Sequence, residues 1–394
     1  MKNKPIPLTR AMKKLMAQLE VIVSNPVVEA AYNEAIAHVQ PVLYPGAQAV
    51  TGQDKNPWVG QPISYFVEYF REWFTFLPQP EGGLGKIVPF TYFYLDNPQA
   101  FYFLNYLESK SGKAKKHSKE IFNWTVAFIK ERGNFMDSPA SAKYIKEWEK
   151  YLGKELKNYI IPKGGFKTFN EFFTRELNPK ANPRPISHPD DDSILTASAD
   201  SEINFIESDL TMTTSLNVKS RQLNVKELLN NSKYAQYFEG GTAISSVLMP
   251  NNYHHYHSPV TGKIVESMIV PGIYNGIMDG EDWFNNFNVG ESTTDFSIFE
   301  DFHRAYFVYQ TKNHGYVAMI PVGLNTISSI HPSVIGKRST LVPPGGKPVP
   351  VQKGQEVGHF AYGGSLNILL FQKGVFSSVN VLMGQRIGTL GTPS

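Results

Sequence analysis

The feature that most constrains the fold of this chain is a change of sequence pattern near residue 161. Before it, Asn25-Pro26, Asn97-Pro98 and Ser138-Pro139 each place a capping residue before a proline suited to the first helical position, which predicts three helix starts. After it, β-branched runs separated by Gly, Pro and Asn turns predict strands at 241–249, 262–270, 304–310, 316–322 and 367–371. The sequence therefore predicts an α+β protein, with a helical N-terminal domain (1–160) packed on a β-rich domain (161–394) of barrel or sandwich type.

One helical segment is rich in aromatic residues. Its aromatic side chains lie on nearly one stripe of a helix, and they are Phe66, Tyr69, Phe70, Trp73 and Phe74. Such a stripe is more often packed in a core than used to bind a ligand. We therefore expect these rings to form the core of the helical domain.

Composition and charge exclude several classes of function. The 394-residue chain has no cysteine, which excludes disulfides, thiolate metal sites and thiol nucleophiles. Its formal net charge of +3 argues against nucleic acid as a partner. A basic run at 110–119 is typical of a solvated face or of contact with acidic lipid head groups. No apolar run reaches the roughly 18 residues of a spanning helix and no signal peptide is recognisable, so we expect a cytoplasmic protein, with peripheral membrane contact left open.

Three histidines lie within four positions, at His254, His255 and His257. Imidazole can bind a metal, fill a structural role or transfer protons near neutral pH. The segment lacks the His-Glu-x-x-His spacing, and no second compact cluster of ligands stands out elsewhere, so we expect no metal site. The cluster favours acid–base chemistry, with a structural role as the alternative.

A second candidate segment contains Gly363-Gly364-Ser365 directly before an apolar run. Glycine permits backbone geometries that other residues resist. The segment is not the Gly-x-Ser-x-Gly nucleophile elbow, because Asn367 stands where that motif requires glycine. Taken alone, the pattern predicts a plain turn.

Seven sequence blocks occur in a definite order over about residues 166–371. They are 167–175, 184–186, 199–200, 253–262, 270–272, 353–358 and 363–365. In this order they resemble the phosphatidylserine decarboxylases. The helical half is similar instead to the extension of the fungal tryptophan decarboxylase branch, through segments such as 24–28. The resemblance implies the phosphatidylserine decarboxylase fold for the β-rich domain.

In that family an Asp-His-Ser triad drives self-cleavage, and the matching residues here are Asp200, His257 and Ser365. The resemblance implies that Ser365 attacks the carbonyl of Gly364 while His257 takes the serine proton and Asp200 orients the imidazole. An N-to-O shift then gives an ester, and β-elimination breaks the chain between Gly364 and Ser365. Hydrolysis of the resulting dehydroalanine leaves a pyruvoyl group at position 365.

The implied cofactor is this covalent pyruvoyl group derived from Ser365. Its ketone forms a Schiff base with a substrate amine and accepts electrons as carbon dioxide leaves, so we expect a carboxy-lyase. By the same resemblance His254 lies near the substrate carboxylate or serves in reprotonation. His255 takes the place of a frequent arginine and receives no role, and Ser201 departs from the usual Asp-Gly pair.

Two small-molecule substrates are compatible with this chemistry. The helical extension and the lack of an evident membrane anchor favour a free, aromatic, tryptophan-like L-amino acid. The basic run and the apolar, basic N-terminus favour the alternative, conversion of phosphatidylserine to phosphatidylethanolamine. A third alternative is a binding or scaffold protein that does not process itself, and homodimer formation, frequent in the family, stays open.

Overall fold

Helices fill the N-terminal region of the structure, a computed structural model. It describes residues 6–43, 55–80, 85–106, 116–212, 224–275, 301–324, 329–381 and 383–384. The α-helices in these residues are α1 Arg10–Val23, α2 Pro26–Ala37, α3 Ile63–Trp73, α4 Ile87–Tyr94, α5 Pro98–Leu104, α6 Lys116–Met136, α7 Ile145–Leu152, α8 Phe169–Phe173 and α9 Val225–Leu228. Short 3-10 helices lie at Pro139–Tyr144, Gly153–Asn158 and Ala235–Phe238.

Side-chain caps confirm the predicted helix starts. The Asn25 side chain accepts a hydrogen bond from the Val27 N–H at the start of α2. Asn97 does the same for the Ala100 N–H at the start of α5. The third predicted start is also a helix start, but the helix that Pro139 begins is a 3-10 helix, which is wound more tightly than an α-helix.

The aromatic stripe of α3 lies in the helical core, as predicted. Phe66, Phe70, Trp73 and Phe74 have no exposed surface. Phe128 of α6 packs against Phe70 and Trp73, with ring centroids 4.9 and 5.7 Å apart. Burial of each such ring removes about 150–250 Å² from water, and this large apolar area holds α6 firmly against α3. The same α6 carries a residue that contacts the candidate site.

The β-rich region contains two main sheets. Its strands are β1 Glu202–Ser208, β2 Thr242–Leu248, β3 His255–His257, β4 Gly262–Val270, β5 Arg304–Gln310, β6 Tyr316–Leu324, β7 Ser329–Pro332, β8 Val334–Ile335, β9 Arg338–Ser339, β10 Val349–Val351, β11 Glu356–Ala361 and β12 Gly364–Phe371. An antiparallel seven-stranded sheet has the order β1-β2-β12-β6-β5-β4-β10, and a three-stranded sheet has the order β3-β11-β7. β8 and β9 form a small hairpin.

Alternation along β12 gives the large sheet two buried faces. Leu366, Ile368 and Leu370 belong to a core on one face, together with residues of α9. Leu369 and Phe371 belong to a core on the other face, which also contains residues of the three-stranded sheet. The predicted α+β class is therefore confirmed, and the stacking of the two sheets corresponds to the sandwich alternative.

The helical core continues past the predicted domain boundary. It includes Phe166, Phe169 and Phe173, and it also includes Tyr362, which directly precedes the predicted cleavage segment. The division into domains 1–160 and 161–394 stays a prediction. Within the described residues, no helix is both long and apolar enough to cross a bilayer.

Candidate active site

Ser365 is the second residue of β12, which lies between β2 and β6 in the large sheet. Its backbone is in register with Leu248 on one side and Gly323 on the other. The side chain is 1% exposed, and its Oγ donates a long hydrogen bond of 3.4 Å to the Gly363 carbonyl. The Gly364–Ser365 peptide therefore begins a paired strand instead of lying in the plain turn that the local sequence predicts.

A buried polar link joins β12 to the histidine segment. Asn367, two residues after Ser365 on the same face of the strand, donates from Nδ2 to Ser198 Oγ at 2.7 Å. The Ser198 carbonyl accepts a hydrogen bond of 2.7 Å from the His257 N–H. Sequence reasoning missed Asn367 and Ser198 as parts of the site. An asparagine inside an apolar strand was the available signal, because a fully buried amide needs a partner.

The His257 imidazole has a partner at each nitrogen. Nδ1 lies 2.8 Å from the Gly354 carbonyl, which can only accept, so Nδ1 carries the proton. Nε2 is therefore the basic nitrogen, and it accepts from the Tyr253 hydroxyl at 3.1 Å. Burial lowers the pKa of His257, while the Gly354 hydrogen bond and the charges of Glu356 and Asp200 act in the opposite direction. His257 is thus a neutral base whose lone pair is held by Tyr253.

A buried lysine fixes the turn that orients His257. Lys353 is 6% exposed, and its Nζ donates to the carbonyls of His188, Asp191 and Ile194 at 2.6, 2.8 and 3.0 Å. Charge-assisted hydrogen bonds of this kind are stronger than neutral ones. These hydrogen bonds tie the 353–354 turn to the loop at 188–194 and so hold the Gly354 carbonyl in place.

Asp200 has a different partner from the one that the triad model implies. Its carboxylate accepts from Arg184 Nε at 2.8 Å and from Arg184 Nη2 at 2.6 Å, which is a bidentate pair. The Asp200 hydrogen bond raises the pKa of the Arg184 guanidinium above its ordinary value. Within the described residues, neither Asp200 nor Ser365 makes a hydrogen bond to the His257 ring. The Gly354 carbonyl orients that imidazole, and Asp200 acts on it only through its charge.

His254 is fully buried beside an aromatic ring. Its centroid lies 3.8 Å from that of Phe173, and its Nδ1 donates to the Asn252 carbonyl at 3.0 Å. Its Nε2 has no hydrogen-bond partner among the described residues. Burial, followed by the charge of Arg175, lowers the pKa of His254 to about 3. His254 is therefore a neutral imidazole with a free lone pair, and in this state it offers no positive charge to a substrate carboxylate.

The first sequence block, 167–175, supports both the histidine segment and the cleavage segment. Arg175 is 2% exposed and donates from Nη2 to the carbonyls of Asn251 and Asn252 at 2.6 and 3.2 Å. Phe173 contacts His254 on one side and Tyr362 on the other, with the Phe173 and Tyr362 centroids 5.4 Å apart. His254 therefore shares a neighbour with the residue that leads into the cleavage bond.

The helical region also contacts Tyr362 directly. The buried guanidinium of Arg132 in α6 lies 5.9 Å from the centroid of the Tyr362 ring. Arg132 is itself fixed by the Phe74 carbonyl at 2.8 Å. The Asn170 side chain accepts from the Tyr362 N–H at 3.1 Å. These contacts anchor the residue two positions before the cleavage bond in the helical core.

Three other tyrosines near the histidine and cleavage segments pack against neighbouring side chains. Tyr256 and Tyr362 are packed in cores, and Tyr274 stacks on His303 with centroids 5.3 Å apart. Most of the basic run at 110–119 lies outside the described residues. Tyr253 differs from these tyrosines, because its hydroxyl holds His257.

Comparisons with known proteins agree on one family. A family model described as phosphatidylserine decarboxylase matches residues 169–389. A phosphatidylserine decarboxylase proenzyme of Clostridium perfringens is 30% identical over 256 residues, which is 64% of this chain and 78% of that protein. Phosphatidylserine decarboxylase proenzyme 3 of Schizosaccharomyces pombe is 32% identical over 271 residues. That alignment covers 66% of this chain but 26% of the yeast protein, so the chain spans about a quarter of this longer relative.

Proposed function

Because the chain belongs to the phosphatidylserine decarboxylase family, whose members are pyruvoyl-dependent carboxy-lyases made as proenzymes, we propose that it cleaves itself before Ser365 and then decarboxylates a serine phospholipid. The observation that carries the proposal is the family match over residues 169–389, which contains Asp200, His254, His257 and Ser365. The product would be the corresponding ethanolamine phospholipid. The match leaves out most of the helical region.

The comparisons favour the phospholipid over the aromatic amino acid that the sequence favoured. The relatives from C. perfringens and S. pombe both carry phosphatidylserine decarboxylase in their names. The preference for a tryptophan-like substrate rested on the helical extension and on the lack of an evident membrane anchor, and the family match begins at residue 169, after that extension. We therefore adopt the phospholipid alternative. Dimer formation and membrane contact stay predictions.

Self-cleavage would use the buried peptide at the start of β12. Ser365 Oγ attacks the Gly364 carbonyl carbon, the Gly364–Ser365 C–N bond breaks, and an ester to Oγ forms. Elimination then removes the Cα proton of residue 365 and breaks its Cβ–Oγ bond, which frees the Gly364 carboxylate. The dehydroalanine formed in this way tautomerises to an imine. Water then hydrolyses the imine, which releases ammonia and leaves the ketone. For His257 to take the serine proton, its Nε2 must first exchange the Tyr253 hydroxyl for that of Ser365.

The residues around position 365 fit a pyruvoyl group. When present, this group supplies an electron sink for the loss of carbon dioxide. His254 Nε2 and Asn367 Oδ1 are buried acceptors without a hydrogen-bond partner among the described residues. Asn367 lies two residues along the same strand face, and His254 contacts Phe173, which also touches Tyr362. A neutral His254 can accept a proton and later return it to the substrate carbon.

Mass spectrometry tests the proposed self-cleavage, and a separate assay tests the proposed substrate. We expect the purified protein to separate into two chains, with phenylhydrazine adding to the ketone of the 30-residue piece 365–394. The cleaved protein is then given phosphatidylserine in mixed micelles, or free tryptophan, tyrosine or phenylalanine, and carbon dioxide release is measured. We expect turnover of the phospholipid alone.

The outcomes distinguish the alternatives. An uncut chain without an adduct would support a binding or scaffold protein and contradict the proposal. Cleavage with turnover of an amino acid but no phospholipid would keep the pyruvoyl chemistry and overturn the substrate. The variant Ser365→Ala serves as the control for both measurements, because it lacks the hydroxyl that forms the ketone.

A further inference from the structure

Three histidines line up across the three-stranded sheet. His359 of β11 is in register with His255 of β3 and with His331 of β7. The ring centroids of His255 and His359 are 5.1 Å apart, and those of His359 and His331 are 5.0 Å apart. Since same-face neighbours on paired strands lie side by side, the register brings together imidazoles from distant parts of the sequence.

Glu356 completes a compact group with two of these rings. One ligand atom each from His255, Glu356 and His359 lies within 4.8 Å of the others. His255 is buried, while Glu356 and His359 are partly exposed, so the group has an open side. Two imidazoles and one carboxylate form a donor set that zinc uses in proteins, with water at the fourth position.

The proton on His255 points away from the carboxylate. Its Nε2 lies 3.0 Å from the Thr174 carbonyl, which can only accept, so Nε2 carries the hydrogen in the neutral ring. Nδ1 then has a lone pair that lies 3.2 Å from Glu356 Oε2, and it makes no well-aligned hydrogen bond among the described residues. Two lone pairs at this distance repel each other unless a cation lies between them. The second possibility is a proton on Nδ1, which would make His255 an imidazolium.

The spacing suits a metal ion. Two ligands bound tetrahedrally at about 2.1 Å lie about 3.4 Å apart, close to the observed separation of Nδ1 and Oε2. Both groups are also held from behind, since Thr174 orients His255 and the Ser333 hydroxyl donates to Glu356 Oε1 at 2.6 Å. Such outer partners are typical of metal sites, where they fix the tautomer and aim the ligands.

We propose that His255, Glu356 and His359 bind one divalent zinc-like cation next to the candidate active site. The sequence offers no metal motif here, because two ligands lie about 100 residues after the first and meet it only through strand pairing. None of the three ligands takes part in the proposed cleavage steps, and the cation site does not depend on the proposed function. It would fasten β3 to β11 beside Tyr253, whose ring stacks on His255 with centroids 4.6 Å apart.

Metal titration of the full, untagged chain tests this proposal. The protein is stripped with a chelator and titrated with Zn²⁺ by calorimetry and with Co²⁺ by visible absorption. We expect one equivalent to bind, with a tetrahedral Co²⁺ spectrum. Glu356→Gln and His359→Gln are each expected to weaken binding by more than about 100-fold, since even groups that only orient ligands contribute about 10- to 100-fold. His38→Gln, on the exposed end of α2, is the matched control and should bind like the parent chain.

Circular dichroism of the metal-free variants serves to check that each of them is folded like the parent chain. Zinc-edge X-ray absorption of the parent chain gives an independent answer, because two imidazoles produce a recognisable scattering pattern. Failure of the parent chain to bind stoichiometrically would overturn the proposal and leave His255 as an imidazolium paired with Glu356. Binding that persists in either ligand variant, or a spectrum without imidazole scattering, would also overturn it.

Discussion

Acidification should destabilise the protein through His254. Burial lowers the folded-state pKa of this imidazole to about 3, whereas the unfolded chain has the ordinary value near 6.5. Because the unfolded state binds the proton more readily, stability is lost as the pH falls from about 6.5 towards 3. Between pH 7 and pH 5 the contribution of His254 alone is about 2 kcal/mol. A His254→Gln variant cannot lose this amount, so its stability should fall less over the same range.

The comparison is best made in uncut chains, with Ser365→Ala as the common background. Urea unfolding at pH 7 and pH 5 gives the loss of unfolding free energy for three chains. They are the background itself, the background with His254→Gln and the background with His38→Gln. We expect the His38 control to behave like the background, since His38 is exposed. Carbon-13 NMR of the labelled imidazole should show His254 still neutral at pH 5. An equal pH dependence in all three chains, or a titration of His254 near 6.5, would refute the reasoning.

Three further perturbations have defined outcomes. Ser365→Ala should give one uncut chain by intact-mass spectrometry. The control Ser246→Ala removes a similarly buried hydroxyl with a 3.3 Å hydrogen bond and should cleave normally. Cleavage of the Ser365→Ala chain would contradict the role of the Ser365 hydroxyl. Tyr253→Phe removes a hydrogen bond worth about 1 kcal/mol from the basic imidazole nitrogen, so gel time courses should show cleavage about 5-fold faster, and slower cleavage would mean that the hydroxyl relays the proton. Lys353→Met removes three hydrogen bonds from a buried ammonium group and should lower the free energy of unfolding by about 3 kcal/mol in denaturant titrations, while Lys312→Met in the exposed hairpin turn should change it by less than about 0.5 kcal/mol.

Local sequence patterns predicted where most helices and strands lie, but they could not predict how distant strands pair. The runs predicted at 262–270 and 304–310 match β4 and β5 residue for residue, because short β-branched and apolar runs bounded by turn residues are typical of buried strands. No local signal specifies that His359 pairs with His255, since the register of strands about 100 residues apart depends on the whole sheet.

The candidate site shows the same division. In the structure, Asn367 and Ser198 link the strand of Ser365 to the backbone of His257. The resemblance to a family predicted roles for Asp200, His257 and Ser365. It could not reveal that Asp200 is held by Arg184, because an ion pair depends on how two loops fold against each other. The role of Tyr253 was hidden for a related reason: an aromatic hydroxyl can point into a core or towards a partner, and sequence alone does not distinguish these cases.

The position of β12 decides what the protein becomes after cleavage. After a cut at Gly364–Ser365 no covalent bond would join β12 to the large chain, and its pairing with β2 and β6 and its packing on both faces would hold it in place. The mature protein would then be a non-covalent complex of two chains, whose reassembly after denaturation depends on concentration. Before cleavage, this central strand inserts into the sheet as part of one continuous chain, which is an intramolecular event. After cleavage, the same insertion would require two separate chains to meet. A mature molecule that lost its small chain would lack a middle strand of its sheet, so its working lifetime would be set by the rate of unfolding rather than by an equilibrium.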